Sequence, residues 1–334
     1  MRIGLVGAGR IGQMHARILR DLESVTDVLV ADVDRSSSRA LADAHGFTAA
    51  DAVDEVFETG LDGMLVTAAT SAHADLLRRS IKARVPVFVE KPLAVDVAGT
   101  VDLVHAIAES GVPVQLGFQR RFDPGYVEAK RKVDAGELGW VHTLRSCTLD
   151  PAPPTPVYVA SSGGIFRDCA VHDFDSIRWM TGREIVSVSA FAANRGEQFF
   201  RDHDDADTAT ALLELDDGTL ATASCTRYNA AGYDVRLEVF GARGSVSVGL
   251  DDRMPLRSTE PDVAFPAGPA YTGFQQRFAA AYRAEIATFV DSVVRDRQVS
   301  PCTPADALEA FYAAEAAELS RRERRAVTLE EVRR

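Results

Sequence analysis

Over the first 120 positions the apolar residues fall in short, nearly unbroken runs: Ile3 to Val6, Val28 to Ala31, Gly63 to Thr67, Val85 to Val89 and Val112 to Gly117. Runs this short and this apolar predict strands buried on both faces. Between them, His15 to Leu22, Ser37 to His45, Ala72 to Ala83 and Ala98 to Ser110 carry apolar residues at helical spacing. Strand-helix alternation of this kind predicts a parallel sheet covered by helices. From about Val141 the pattern changes. Thr208 to Leu215, Leu220 to Thr226 and Val235 to Phe240 are β-rich and partly alternating, with hairpin turns predicted at Asp216-Asp217-Gly218 and at Gly241 to Gly244. A mostly antiparallel sheet follows, with one face solvated or covered by a subunit. Phe274 to Arg295 and Pro304 to Arg324 return to helical spacing, while Asp150 to Pro156 and Arg253 to Gly273 are too rich in proline and glycine for regular structure.

Composition narrows the picture. At 334 residues, two domains are expected. The formal net charge of −12 argues against a nucleic-acid or anionic-membrane partner, because phosphate is repelled. No apolar run reaches the roughly 18 residues that span a bilayer. The N-terminus enters a strand at once, without the basic start and long apolar stretch of a signal peptide. Cys147, Cys169, Cys225 and Cys302 are far apart. They are expected to be free thiols in a reducing cytoplasm, with neither a metal site nor a disulfide frame.

Gly7-Ala8-Gly9-Arg10-Ile11-Gly12 follows the first strand and opens the first helix. Gly7 and Gly9 permit a tight turn and close approach of a pyrophosphate, Gly12 lets the helix pack on the sheet, and the helix N-terminus attracts the anion. Asp32 ends the second strand 20 positions after Gly12, the spacing of a carboxylate that accepts from the ribose 2′-hydroxyl. Such a carboxylate repels a 2′-phosphate, so NAD is expected, with NADP the weaker alternative. Arg35 either flanks the adenine and offsets that repulsion or is a solvated helix-start arginine. Thr67, Ala68, Thr70 and His73 close the next strand and are candidates to line the cofactor. The predicted first domain, residues 1–120, is thus a Rossmann fold.

Only Lys82, Lys91, Lys130 and Lys132 are lysines in a chain of 37 basic residues. Lys91 sits in Glu90-Lys91-Pro92, where a strand ends. Unlike arginine, a lysine there can be tuned and can donate from a compact ammonium. A second constellation lies in Ser161 to Gly182. Asp168, His172 and Asp175 fall at i, i+4 and i+7, which on one helix stacks them on one face. A carboxylate one turn from an imidazole fixes its tautomer and raises its basicity, as a general base requires. The competing reading is a capping aspartate followed by a polar surface stripe.

Taken together, Gly7 to Gly12, Glu90-Lys91-Pro92, Gln115 to Asp123, Gly163 to Asp168 and His172 to Asp175 resemble, in order, the glucose–fructose oxidoreductase/inositol dehydrogenase (Gfo/Idh/MocA) family. Within it the likeness is strongest to myo-inositol 2-dehydrogenases, through Arg120 to Asp123, Asp150 to Pro154, Gly163 to Asp175 and Gly232-Tyr233-Asp234. The resemblance implies a second α/β domain over 121–334, whose large open sheet builds a dimer or tetramer. It implies that Lys91, Asp168 and His172 are catalytic. Gln119, Arg120, Asp150, Asp175 and Tyr233 are implied to line a polyol pocket with them, and Arg10, Ile11, Glu90, Lys91 and Gln119 to join the cofactor site. The implied reaction is NAD-dependent oxidation of a secondary hydroxyl, myo-inositol to scyllo-inosose, with His172 or else Lys91 as base. The alternatives are a dehydrogenase of another pyranose or glucoside and a catalytically silent NAD-binding regulator. Cys225 to Ala230 departs from the asparagine- and glutamine-rich run expected there, and Gln119 stands at a variable position; both bear on the substrate.

Overall fold

The structure is a computed structural model and describes residues 1–333. The chain forms two compact units, one of Met1–Phe122 with Ala280–Leu308, the other of Asp123–Ala279 with the chain from Glu309 onward. The boundary at Phe122 lies close to the expected cut at 120, but a single cut misses the return of residues 280–308.

In the first unit, β1 (Arg2–Val6), α1 (Arg10–Arg20), β2 (Asp27–Ala31), α2 (Arg35–His45), β3 (Thr48–Ala49), α3 (Glu55–Glu58), β4 (Gly63–Val66), α4 (Thr70–Ala83), β5 (Val87–Glu90), α5 (Val97–Ser110) and β6 (Val114–Gly117) follow one another. The strands pair in parallel in the order β3-β2-β1-β4-β5-β6. That order reverses direction between β1 and β4, the crevice where open α/β sheets of this kind bind nucleotides. Local signals set the helix ends. The Asp34 carboxylate accepts from Ser36 N–H and starts α2, and Gly46, at a φ of 72°, ends it. Asp96 and Gly111 do the same for α5.

The second unit contains α6 (Pro124–Asp134), β7 (Val141–Leu149), α7 (Pro156–Ser162), a π-helical turn (Phe166–Ala170), α8 (Val171–Thr181), β8 (Ile185–Ala193), α9 (Gln198–Asp202), β9 (Thr208–Leu215), β10 (Leu220–Thr226), β11 (Asp234–Gly241), β12 (Gly244–Val248) and α10 (Phe274–Arg277). Its seven-stranded sheet runs β12-β11-β7-β10-β9-β8-β13, where β13 is Val327–Thr328. Every pairing is antiparallel except β7 with β10. In β9 exposed and buried residues alternate without a break, so one face meets the core. The other face carries Phe191, Leu212 and Leu220, which are 70%, 50% and 48% exposed. The α8 helix lies on the inner face: Asp173 accepts from the hydroxyls of Ser146 and Thr148 on β7.

The returning segment, with α11 (Ala279–Thr288) and the π-helical Phe289–Arg295, completes the first unit. Ile286, Phe289, Val290, Val293 and Val294 join Ile3, Leu5, Val28, Val30 and Phe88 in one hydrophobic core. The Leu116 N–H of β6 donates to the Cys302 carbonyl. From α12 (Pro304–Glu323), Asp306 pairs with the buried Arg121.

Candidate active site

The glycine turn sits between β1 and α1 and is shaped by what surrounds it. Gly7 has a φ of 109°, and a β-carbon there would lie 2.5 Å from the Ala68 nitrogen. A β-carbon on Gly12 would lie 1.9 Å from the Gly7 carbonyl oxygen. Both glycines are demanded by packing within the fold. Gly9 is different, because a β-carbon there meets nothing within 4 Å. It leaves open space over the N-terminus of α1, which Arg10 and Ile11 begin, and a pyrophosphate fits such a cradle. Thr67 donates its hydroxyl to the Gly7 carbonyl at 2.8 Å.

Asp32 follows β2 and accepts from the Ala8 N–H at 2.6 Å and from the Asp34 N–H at 2.9 Å. It therefore holds the glycine turn. Arg35 opens α2 and is exposed. The donor set and the open cradle fit a dinucleotide whose ribose keeps its 2′-hydroxyl.

Lys91 stands in the loop after β5, joined to Pro92 by a cis peptide. The loop is tied from below. His73, buried in α4, sets its two ring nitrogens 2.8 Å from the Pro92 carbonyl and 3.2 Å from the Ala68 carbonyl. Burial pushes the His73 pKa down, and the two carbonyls oppose that shift. His73 thus braces the loops after β4 and β5, while Thr70 begins the same helix. On the other side, the Glu90 carboxylate accepts from His15 Nε2 at 2.7 Å. Gln119 and Arg120 are buried in a single 3₁₀ turn after β6. Asp123 caps α6 and pairs with Arg277 at 2.8 Å.

The constellation in the second unit departs from the predicted single helical face. Asp168 lies in the π-helical turn and His172 in the first turn of α8, so the two straddle a change of helical step. Beyond His172 the helix is covered rather than striped: Asp173, Phe174, Asp175, Ser176, Ile177 and Arg178 are all buried. Asp173 serves the sheet. The Asp168 carboxylate is held on both oxygens, by the Tyr158 hydroxyl at 2.7 Å and by Arg227 Nη2 at 2.6 Å. Arg227 reaches Asp150 through Nη1 at 2.8 Å. Burial works against the Arg227 charge, but the surrounding Cys169, Asp168 and Asp150 outweigh it and hold the guanidinium firmly protonated. Tyr233 is buried, bridges to Tyr271 through its N–H and packs edge-on against Phe278. Arg227 and Tyr158 did not stand out in the sequence. The one signal was the departure at Cys225 to Ala230, which contains the arginine.

Among the described residues no group of three or more histidine, cysteine or acidic side chains is placed to hold a metal ion, the four cysteines are free thiols, and no helix is long and apolar enough to cross a membrane.

Residues 1–118 match the oxidoreductase family with an NAD-binding Rossmann fold, and residues 126–247 match the GFO/IDH/MocA C-terminal domain. A myo-inositol dehydrogenase of Streptomyces leeuwenhoekii is 40% identical over 291 residues, covering 87% of each chain. An inositol 2-dehydrogenase of Rhizobium meliloti is 32% identical over 98% of this chain and 99% of its own. Among solved structures, the scyllo-inositol dehydrogenase of Lactobacillus casei with bound NAD(H) and scyllo-inositol superposes with a TM-score of 0.88, at 29% identity and 99% coverage of both chains. The glycine cradle, the lysine loop and the Asp168–His172 turn therefore occur in a chain that, on sequence and on fold, belongs to the GFO/IDH/MocA family of NAD-binding oxidoreductases.

Proposed function

We propose that this enzyme oxidises a secondary hydroxyl of a cyclic polyol, with myo-inositol to scyllo-inosose as the leading reaction. Relatives named as inositol dehydrogenases support the substrate class. The observation that carries the chemistry is the Asp168 carboxylate, anchored on both oxygens and four residues before His172. NAD supplies the hydride acceptor when bound. His172 takes the hydroxyl proton, and Asp168 orients the imidazole and stabilises its charged form. Lys91 donates a hydrogen bond to the reacting oxygen and offsets its developing negative charge. Glu90, Thr67, Ala68, Thr70 and His73 shape the cofactor side. Gln119, Arg120, Asp150, Asp175 and Tyr233 are assigned to the polyol, because a site built to pair hydroxyls rejects analogues lacking them.

Cys225 to Ala230 favours a second reading, oxidation of another pyranose or a glucoside by the same machinery. NADH formation with myo-inositol, scyllo-inositol, glucose and several glucosides separates the two. Turnover of an inositol supports the first reading, turnover of glucosides alone the second, and tight NAD binding without any turnover overturns both. We assign the exposed sheet face with Phe191 and Leu212 to a homo-oligomer, a dimer or tetramer, and place the enzyme in the cytoplasm.

A further inference from the structure

Arg227 follows β10, and its side chain is only 4% exposed. Its backbone N–H donates to the Asp207 carbonyl, which fixes where the guanidinium starts. One terminal nitrogen donates to Asp150 and the other to Asp168. The Cys169 thiol also points at the Asp150 oxygen, at 3.6 Å. Asp205, in the loop before β9, adds a third carboxyl to the neighbourhood. It accepts from the Ile165 and Ala206 N–H groups, and burial pushes its pKa up. Tyr158, from α7, completes the set on Asp168.

A guanidinium is suited to this place for two reasons. Its planar fork reaches two carboxylates in fixed directions, and it cannot lose its proton.

We propose that Arg227 is a positioning residue for the reaction: by clamping Asp168 to the pocket carboxylate Asp150, it sets the charge that His172 experiences and so the pH at which His172 accepts the substrate proton. The proposal rests on the reading of His172 as base. Its sign is definite. The positive charge of Arg227 disfavours the imidazolium, and its bond to Asp168 weakens that carboxylate's pull on it. Removing Arg227 therefore makes His172 easier to protonate.

The test compares Arg227→Gln and Arg227→Lys with the wild type by proton NMR titration of His172 without cofactor, its signal assigned by loss in His172→Asn. The pH profile of kcat/KM for polyol oxidation is measured alongside. In Arg227→Gln the imidazole titration and the acid limb of kcat/KM both move up by roughly one pH unit. In Arg227→Lys the charge stays, so the titration holds, while loss of the fork lowers kcat about tenfold. A purely structural ion pair would lower the melting temperature and leave the imidazole titration in place, so a wild-type titration in folded Arg227→Gln overturns the proposal. Where Arg227→Gln does not fold, wild-type kcat in Arg227→Lys overturns it. A shifted imidazole in an enzyme that turns over no polyol keeps the positioning role and removes the substrate reading instead.

Discussion

A β-carbon at Gly117 would stand 2.8 Å from Oε2 of Glu90, its register partner on the neighbouring strand. The bare glycine lets the Glu90 carboxylate lie across β6 while its other oxygen accepts from His15. Gly117→Ala is expected to push that carboxylate off His15 and cost about 1–3 kcal/mol. The measurement is the denaturant midpoint at constant slope. An unchanged midpoint would show that Glu90 moves aside freely.

Glu285 on α11 is fully buried, and neither carboxylate oxygen has a hydrogen-bond partner. Burial, and then the negative charge of Glu90, push its pKa well up. His15 reaches the same core layer, contacting Glu90 and Tyr282, and Gln115 donates to the Glu285 backbone carbonyl. A carboxyl whose folded pKa exceeds its unfolded value contributes most below the unfolded value, about 4.3 for glutamate, and loses that contribution as pH rises to the folded pKa. Glu285→Gln keeps the shape and removes the titration. It should be more stable than the wild type at pH 8, with the gap closing toward pH 4. Urea unfolding across that range checks it, and parallel curves refute it.

Lys91→Ala should lower kcat by about 10²–10³-fold, the scale of losing one group that stabilises developing charge. NAD affinity, measured by calorimetry, should stay within a few-fold of the wild type. Near-normal kcat would remove the lysine from the chemistry.

Asp32→Ala should raise the preference for NADP over NAD by roughly ten- to a hundredfold, the scale of a lost charge-assisted hydrogen bond. NAD binding should also weaken outright, because the Ala8 and Asp34 N–H groups lose their acceptor. Titration with both cofactors reads the ratio. A ratio equal to that of the wild type would contradict the ribose assignment.

Where local chemistry decides, the sequence is legible. The boundaries of β9 and β10 and their hairpin turn at Asp216 to Gly218 follow from alternation and a turn signal alone. Gly7 and Gly12 are legible for the same reason: each answers backbone within a few residues or one strand away. Tertiary choices are not written that way. Nothing in β7 or β10 announces that they pair in parallel, since the partner is chosen by the sheet as a whole. Asp173 turns to the hydroxyls of Ser146 and Thr148, and helical spacing does not say which neighbour covers a face. Arg227 is 59 residues from Asp168 and 77 from Asp150. No local pattern joins them.

The return of residues 280–308 also bears on the order in which the protein is made. The nucleotide-binding sheet leaves the ribosome well before residues 280–308, but Ile286, Phe289, Val290, Val293 and Val294 supply part of its core, and Cys302 bonds its edge strand. Until that late segment emerges, the nascent cofactor unit carries an uncovered apolar surface while the whole intervening unit is synthesised. Residues 1–122, although they hold the complete glycine fingerprint, therefore lack part of their own core. Completion of that core waits on residues 280–308.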